Sequence, residues 1–569
     1  MNHDHDHDHD HDHDHTHHHD HGGMHTMSAT SERAGDSFSR ETDGLAEAAV
    51  PAIVELRDGD TFELTAHPVR KRIGGATVRM LAYNGSIPGP VLRVAQGAQV
   101  TVHFTNQTDL ETTVHWHGLR LDNAFDGVPL GHPHHGMQLP VAPGESFTYR
   151  VRFPDPGVYW YHPHIREDYA QEMGLYGNIV VAPTSSDPAY WSPVNRELAL
   201  TLDDILIEGG DVAAYSRAES NHTAMGRFGN VLLINGEPAP ALTLEANRGD
   251  VMRLYLTNTA NVRIFNVGIP GTGARMKLVG RDHGRVEREE WTEQVMLAPS
   301  ERAVVEVLFE QAGDFALEHR TPEQTYRLGT IRVREQPVER SYAREFGALR
   351  HCAELAAERS QIEADFERAP DKTLALVGEM PGMSHHDHHA HGHGDHMEHM
   401  EHMEHMGHME HGSSHEMHAE HTAHAGHSAA SGADDGRIEW EDTMPEMNAM
   451  STPRNMVWKL IDRATGGASH DIWWSFTVGD RVKVRIVNEP DSDHPMQHPI
   501  HFHGQRFLVL SRDGVRNPNL AWKDTELVEA GQTTDLLVEM SNPGIWMSHC
   551  HIAEHLEGGM MFSFEAEEN

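Results

Sequence analysis

The amino-acid sequence predicts an all-β protein built from three tandem β-sandwich domains. The first observation is a ten-residue unit that begins with Gly, ends with Asn and alternates apolar residues between them, at 97–106, 249–258 and 479–488. The second is a Gly downstream of each unit, at Gly157, Gly313 and Gly544. Apolar alternation bounded by Gly, Pro and Asn is typical of half-buried sandwich strands. The third is the length of 569 residues, which suits three or four domains of about 150 residues.

The repeats divide the chain into three domains, with predicted limits of 45–185, 186–340 and 371–569. Residues 341–370 are predicted to form a helical connection between the second and third domains. Residues 1–44 are a His/Asp-rich tail, and residues 381–434 are a His/Met-rich insertion in the third domain. The tail and the insertion contain too few apolar residues for a packed core, so both are predicted to be disordered.

Histidine and methionine are unusually frequent, with 50 His and 27 Met in the chain. Residues 1–28 and 381–428 hold 12 and 17 of the His, and the second stretch interleaves them with Met and Glu. His is an intermediate and Met a soft metal ligand, so the internal tract is expected to bind copper or another soft metal. For the N-terminal tract, metal binding and a merely solvated tail or tag stay equally open.

Charge and cysteine content exclude other classes of protein. A formal net charge of −42 argues against nucleic acid as a partner, because phosphate binding needs a basic surface. Two cysteines, Cys352 and Cys550, build no disulfide framework. The sequence contains no run of about 18 apolar residues, so no membrane span is predicted. We expect a monomer. No export signal is visible, so the location is periplasmic or extracellular if a signal has been removed, and cytoplasmic otherwise.

Paired histidines stand at equivalent positions of the first and third domains. The pairs are His115 and His117, His162 and His164, His501 and His503, and His549 and His551. Side chains at i and i+2 of a strand point to the same face, so each pair presents two imidazoles side by side. The second domain has no such pair and is predicted to be a spacer. Eight imidazoles from two domains predict a metal site where the first and third domains meet.

A second metal site is predicted around Cys550. Its side chain points away from those of His549 and His551, which leaves the thiolate free for a different ion. Two His, one Cys and a weak axial Met form a blue-copper electron-transfer site. The chain offers His498, Cys550, His555 and Met560 for this set. Since Cys550 lies between two ligands of the other site, it gives electrons a short covalent path.

The motifs HWHG, HPH, HPIHFHG and HCHIAEHLEGGM resemble the four ligand motifs of the three-domain multicopper oxidases, the family of laccases, ascorbate oxidase and bacterial cuprous oxidases. The resemblance covers about residues 45–340 and 371–569 and implies cupredoxin-like Greek-key domains with four copper ions. It assigns the blue, type 1 copper to His498, Cys550, His555 and Met560. It assigns type 2 copper to His115 and His501. It assigns the two type 3 coppers to His117, His162, His164, His503, His549 and His551.

The resemblance also implies the reaction. Four one-electron oxidations at type 1 copper are coupled to the reduction of dioxygen to two waters at the other three coppers, which consumes four protons. Asp126 stands where the family often has an acid that relays protons, and the first half of an Asp-Gly turn is an equally good interpretation. Some bacterial cuprous oxidases carry an acid directly after the second His ligand of type 1 copper. Leu556 stands there in this chain, with Glu557 next.

The electron donor stays open between three hypotheses. In the first, which we favour, the His/Met tract captures Cu(I) or another metal ion in copper homeostasis. The resemblance supports it, since bacterial copper-tolerance oxidases carry Met-rich insertions in their third domain. Met444, Met447 and Met450 either extend this path or make ordinary apolar contacts. In the second, a laccase oxidises phenols and aromatic amines at an exposed edge of His498 or His555, and the tract stores copper. In the third, the chain sequesters copper, against which the complete oxygen-reducing ligand set argues.

Overall fold

The computed structural model describes residues 37–129, 138–184, 187, 189–381 and 436–568. Within them the chain forms 35 β-strands and five short α-helices. The strands assemble into three groups of sheets along the sequence, which confirms the predicted all-β architecture. Most of the predicted disordered tail and almost all of the predicted insertion lie outside the described residues.

The first group consists of a four-stranded sheet, in the order β3-β2-β5-β7, and a five-stranded sheet, in the order β1-β4-β9-β8-β6. The strands are β1 (Ile53–Leu56), β2 (Thr61–Ile73), β3 (Ala76–Tyr83), β4 (Val91–Ala95), β5 (Gln99–Asn106), β6 (His115–His117), β7 (Ser146–Arg152), β8 (Gly157–His162) and β9 (Gly177–Ala182). Inward side chains of both sheets, such as Leu64 on β2 and Ile179 on β9, form one core.

The second group consists of a seven-stranded sheet, in the order β14-β13-β10-β16-β21-β18-β19, a five-stranded sheet, in the order β15-β23-β22-β17-β20, and the hairpin β11-β12. The strands are β10 (Arg196–Ile205), β11 (Ile207–Glu208), β12 (Asp211–Val212), β13 (Val231–Ile234), β14 (Glu237–Pro238), β15 (Leu242–Arg248), β16 (Val251–Asn258), β17 (Phe265–Gly268), β18 (Ala274–Arg281), β19 (Gly284–Thr292), β20 (Gln294–Leu297), β21 (Arg302–Phe309), β22 (Gly313–Arg320) and β23 (Thr325–Pro337). Leu254 on β16 and Leu317 on β22 lie in its core.

The third group consists of a sheet in the order β25-β24-β27-β33-β29-β30, with β31 also paired to β29, and a sheet in the order β26-β35-β34-β28-β32. The strands are β24 (Lys372–Glu379), β25 (Val457–Asp462), β26 (Trp473–Thr477), β27 (Arg481–Asn488), β28 (His498–Phe502), β29 (Arg506–Arg512), β30 (Val515–Arg516), β31 (Trp522–Lys523), β32 (Thr525–Val528), β33 (Thr533–Glu539), β34 (Gly544–Cys550) and β35 (Met561–Glu567). Val484 on β27 and Trp546 on β34 lie in its core.

The helices are short and lie between strands. They are α1 (Glu167–Ala170), α2 (Ala343–Phe346), α3 (Ala353–Gln361), α4 (Pro445–Ala449) and α5 (Ala553–Glu557). The predicted helical connection at 341–370 contains α2, α3 and the 3₁₀ turn Glu363–Phe366. No sheet in the described residues combines strands from two groups, so we propose the predicted limits as the domain limits. No described helix is long and apolar enough to cross a membrane.

The three repeated units occupy the same place in their groups. They form β5, β16 and β27, and each pairs in parallel with one earlier strand and antiparallel with one later strand. The side-chain amides of Asn106, Asn258 and Asn488 each donate to two or three backbone carbonyls downstream, such as those of Leu110 and Val141, at 2.6–3.2 Å. The closing Asn therefore recurs because its amide fixes the segment that follows each unit.

A buried acidic cluster lies where α1 and α5 meet the second group. Glu172 is buried with neither carboxylate oxygen hydrogen-bonded among the described residues. Burial raises the pKa of Glu172 well above its ordinary value, and Asp203, Asp204 and Glu554 raise it further, while Arg227 opposes them. The folded chain therefore keeps a proton on Glu172 at a pH where the unfolded chain has lost it.

This cluster predicts a pH-dependent stability. Because the folded state keeps this proton, Glu172 contributes to stability at acid pH, and that contribution is lost as the pH rises from acid to alkaline values. Glu172→Gln should remove this loss. The variant should therefore unfold at a higher temperature than the parent enzyme at alkaline pH, with the difference closing towards acid pH. Thermal unfolding across that range, with the exposed Glu208→Gln as control, measures it. A difference that is the same at every pH would contradict the prediction.

Candidate metal centre

The structure brings all eight paired histidines into one buried cluster. Strand β6 pairs with β8 so that His115 lies opposite His162, and β28 pairs with β34 so that His501 lies opposite His549. The two sets meet across the boundary between the first and third groups. The rings of His117 and His501 stack with centroids 3.8 Å apart, and those of His115 and His503 lie 4.2 Å apart. The cluster therefore lies where the sequence predicts it.

The ring nitrogens inside the cluster face one another without hydrogen-bonding groups between them. Nε2 of His503 lies 3.0 Å from Nε2 of His549 and 3.3 Å from Nε2 of His164. Nε2 of His162 lies 3.4 Å from Nδ1 of His117. In the part of the chain that the structure describes, the buried Nε2 atoms of His115, His501 and His551 have no hydrogen-bond partner. Converging buried nitrogens of this kind fit metal ions, because lone pairs left without a positive partner are costly.

The outer nitrogens of the rings are held by the surrounding backbone. The Nδ1 atoms of four rings donate to the carbonyls of Asp126, Pro163, Asp524 and Cys550 at 2.8–2.9 Å; the four are His115, His162, His501 and His549. Such bonds fix the tautomer and the ring orientation, so Nε2 of each ring is directed into the cluster.

Carboxylates hold three further rings of the cluster. Nδ1 of His503 donates to Asp126 Oδ2 at 3.0 Å, and Nε2 of His117 donates to Asp524 Oδ1 at 3.0 Å. Nδ1 of His164 lies 3.0 Å from Glu167 Oε1. Asp126 thus lies beside the cluster and also ends the 3₁₀ turn Asn123–Phe125 before Gly127.

Burial favours the neutral form of seven imidazoles of the cluster. It lowers the pKa values of seven rings, and neighbouring imidazoles add to this for most of them; the seven are His117, His162, His164, His501, His503, His549 and His551. The neutral imidazole is the form that binds a metal ion. The cluster is therefore poised to take up cations without first releasing protons.

The predicted second site is formed on the opposite side of β34. Sγ of Cys550 lies 3.5 Å from Nδ1 of His498 and 3.8 Å from Nδ1 of His555, and these two nitrogens lie 3.2 Å apart. Met560 is buried beside them, and its carbonyl accepts a hydrogen bond from the Cys550 amide at 3.1 Å. Two imidazoles, a thiol and an adjacent thioether are the donor set of a blue-copper site.

The two histidines of this second site are buried, contrary to the exposed edge that the laccase hypothesis predicts. His498 is 1% exposed and His555 is 0% exposed, so the exposed edge predicted for a laccase is wrong. The indole of Trp458 packs on both rings, with centroids 4.8 Å from His498 and 4.2 Å from His555. Ala224 of the second group lies against His555.

Two acidic residues at the cluster, Glu167 and Asp524, were not predicted from the sequence, although the pattern of motifs could have indicated Glu167. Glu167 follows His164 by three residues, as Glu554 follows His551 in the matching motif, so the alignment of HPHIRE with HCHIAE contained it. Asp524 lies in no motif and becomes evident only because β32 pairs with β28, which bears His501.

Leu556, at the position where some cuprous oxidases carry an acid, is buried against Val128 and Met547. Glu557 lies close enough to Glu167 to raise the pKa of that carboxyl, after burial itself.

Three sandwiches, a cluster of eight imidazoles and a cysteine site next to it define a copper-dependent oxidoreductase. Two family profiles described as multicopper oxidase match residues 66–186 and 441–569. A multicopper oxidase of Mycobacterium tuberculosis is 26% identical over 88% of this chain and 86% of its own length. The copper resistance protein A homolog of Pseudomonas syringae pv. tomato is 25% identical over 90% of this chain and 93% of its own.

Solved structures agree in fold. A multicopper oxidase of Campylobacter jejuni, described as a metallo-oxidase, has a TM-score of 0.61 and 22% identity, and the match covers 93% of this chain and 99% of that one. The multicopper oxidase of Pseudomonas thermotolerans has a TM-score of 0.59 and 24% identity over 91% of this chain and 100% of its own. The chain belongs to the multicopper oxidase family, whose cofactor is copper and whose electron acceptor is dioxygen.

Proposed function

We propose that this multicopper oxidase oxidises Cu(I) in copper homeostasis. The observation that supports this substrate is the closed type 1 site, which no bulky donor reaches directly. The similarity to a copper resistance protein A homolog points to the same physiology.

The ligand roles belong to the same proposal. Type 1 copper is held by His498, Cys550, His555 and Met560. Type 2 copper is held by His115 and His501. Two type 3 coppers are held by His117, His162, His164, His503, His549 and His551. When bound, these four ions supply one-electron transfer at the cysteine site and the reduction of dioxygen to water in the cluster.

The cover over the type 1 site is pinned by hydrogen bonds. The Trp458 indole donates to the carbonyl of Thr223 at 2.7 Å. Asn448 of α4 donates to the carbonyl of Gly226 at 2.9 Å and accepts from the amide of Met225 at 3.1 Å. Because α4 and residues 223–226 hold each other over the rings, a phenol cannot contact the copper ligands without breaking these bonds.

A path for a small cation remains beside this cover. Met447 is 49% exposed and Met450 is 70% exposed at α4, so both thioethers are accessible. His494 is buried, and its Nε2 has no hydrogen-bond partner among the described residues. Asp442 lies near enough to oppose the lowering of the His494 pKa by burial. His494 in turn lies against the Trp458 indole, 6.2 Å between centroids. Thioether, imidazole and carboxylate donors therefore lead from the surface to Trp458.

Steady-state kinetics with Cu(I) and with a phenol test the proposal. Removal of residues 381–434 should raise the KM for Cu(I) several-fold, because a tethered tract raises the local metal concentration. Met447→Leu with Met450→Leu should raise it further, since leucine keeps the size and removes the thioether. The KM for the phenol should change in neither variant. An unchanged KM for Cu(I) after the deletion would refute capture by the tract.

A laccase is the alternative, with the His/Met tract as a copper store. The same cluster serves a phenol or an aromatic amine that passes its electron through Trp458. In that case the phenol would be the better substrate of the parent enzyme, and Trp458→Leu would lower phenol oxidation more than Cu(I) oxidation. Copper sequestration alone is a further alternative, which dioxygen consumption by the purified enzyme would exclude.

We propose Asp126 as the acid that relays protons to the cluster. Its carboxylate is buried, and Oδ2 accepts from His503. Oδ1 accepts no hydrogen bond among the described residues and lies 3.3 Å from Nδ1 of His115. Asp126→Asn keeps an oxygen for His503 and cannot carry a proton, so kcat should fall by roughly 10²–10⁴-fold. Asp122→Asn, in the same loop, is the control. A loss equal in the two variants, or a blue absorbance that also falls, would indicate a structural role.

A further inference from the structure

The two carboxylates next to the cluster are equivalent in position and different in support. Asp126 binds His503 through its side chain and His115 through its carbonyl. Asp524 binds His117 through its side chain and His501 through its carbonyl. Each Asp therefore orients one predicted type 3 ligand and one predicted type 2 ligand. Only the surroundings of the two carboxylates distinguish them.

The carboxylate of Asp524 is held by the second group. Arg302, the first residue of β21, donates to both of its oxygens, with 2.6 Å between Nη1 and Oδ1. Nε2 of His283 lies 3.0 Å from Oδ2. All three side chains are fully buried, and Arg302 Nε also donates to the carbonyl of Val158 at 3.0 Å. One arginine thus joins the first, second and third groups at the cluster.

The backbone packs closely around this ion pair and restricts the positions of the Asp524 and Arg302 side chains. Gly118, next to His117, has φ of +83°, and a Cβ there would lie 2.4 Å from Asp524 Oδ2 and 2.8 Å from Arg302 Nη2. Asp282 accepts from the Arg302 amide at 2.9 Å and from the Asp524 amide at 3.3 Å. Both partners are therefore fixed by side chains and by backbone.

From this geometry we propose that Arg302 is a positioning residue for the oxygen-reducing cluster. By fixing both oxygens of Asp524, Arg302 holds the Nε2–H of His117 and the Nδ1–H of His501 outward, so that Nδ1 of the first and Nε2 of the second point to the metals. The second domain, predicted to be a spacer because it lacks the paired histidines, supplies this arginine. The inference rests on the copper ligation proposed above for His117 and His501.

The rigid support of Asp524 contrasts with that of Asp126. Among the described residues no arginine binds Asp126, and its Oδ1 accepts no hydrogen bond, although Nδ1 of His115 lies 3.3 Å away. A bidentate ion pair is a fixed support, because both oxygens are committed to the guanidinium. The second domain therefore makes the two equivalent carboxylates different. Both oxygens of Asp524 are held by Arg302, whereas Asp126 keeps one oxygen that accepts no hydrogen bond among the described residues.

Copper-loaded variants test this inference by electron paramagnetic resonance (EPR) and copper content. Arg302→Met should weaken type 2 copper binding by roughly 10–100-fold, as losses of groups that orient metal ligands do. The type 2 EPR signal should shift or disappear while the blue absorbance stays. Arg302→Lys should restore the signal in part, since lysine keeps the charge without the fork. His283→Gln, a milder change, should shift the signal in the same direction even if Arg302→Met does not fold.

Arg253→Met is the matched control, because Arg253 is an equally buried arginine of the second group that pairs with Glu306 at 2.6 Å, away from Asp524. It should leave the type 2 signal and the copper content unchanged. The inference is overturned if Arg302→Met keeps the parent signal, or if Arg253→Met alters it equally. Absence of a type 2 signal in the parent enzyme would instead refute the proposed ligand roles.

Discussion

Cys550→Ser should abolish both the blue absorbance and the oxidation of any donor, with turnover falling to background. The thiolate is the ligand that gives a blue-copper site its colour, and it is also the covalent start of the path to His549 and His551. Serine has nearly the same volume, so the fold of β34 should persist. Visible absorbance, copper content and dioxygen consumption of the purified variant measure the effect.

The second cysteine supplies the control for this change. Cys352 is buried as well, at the start of α3 against Leu355 and Leu508, and the described cluster in which it packs contains none of the proposed copper ligands. Cys352→Ser should keep colour and turnover. If Cys550→Ser were still blue and active, the assignment of the type 1 site would fail altogether.

His503→Gln should separate the two halves of the reaction. Its Nε2 lies within 3.3 Å of the Nε2 atoms of both His164 and His549, so its loss removes a donor from the centre of the cluster. The site around Cys550 is not touched, so the variant should stay blue and be reduced by a donor. Dioxygen consumption should fall by about 10³-fold or more, a barrier increase of about 4 kcal/mol. Stopped-flow reduction without oxygen and oxygen-electrode traces with it separate the two steps.

His319→Gln is the control for this variant. His319 is fully buried in the second group, where its Nδ1 accepts from the Asn266 amide, and it lies outside both copper sites. It should reoxidise in dioxygen like the parent enzyme. If His503→Gln reoxidised at the parent rate, the cluster would not be the site of dioxygen reduction.

Local patterns carried most of the fold and most of the site. The alternation within each repeated unit and the closing Asn both act over a few residues, so β5, β16 and β27 were predictable from the sequence. The same holds for the His-x-His pairs, because the direction of a side chain in a strand depends only on its neighbours. The motif around Cys550 combines two such local rules.

The rest depends on contacts that no local pattern contains. Arg302 lies 222 residues before Asp524, and Asp524 lies 407 residues after His117. The cover of the type 1 site joins Trp458 to Thr223, again across domains. Each of these contacts depends on how one sandwich packs on another, and local sequence patterns do not specify that packing. For the same reason the sequence predicted the second domain to be a spacer, whereas in the structure its Arg302 pairs with Asp524 beside the histidine cluster.

The pairing of β24 with β25 has a consequence for how this oxidase can change. Glu379, at the end of β24, lies opposite Val457, at the start of β25, so the chain leaves and re-enters the sheet at one edge. The length of residues 381–434 does not affect this register as long as they reach α4, and doubling that length costs only about 0.6 kcal/mol of closure entropy. The tract that we propose to capture metal ions can therefore be exchanged. Evolution or an engineer can lengthen, shorten or replace it to suit another metal supply while the catalytic body stays as it is.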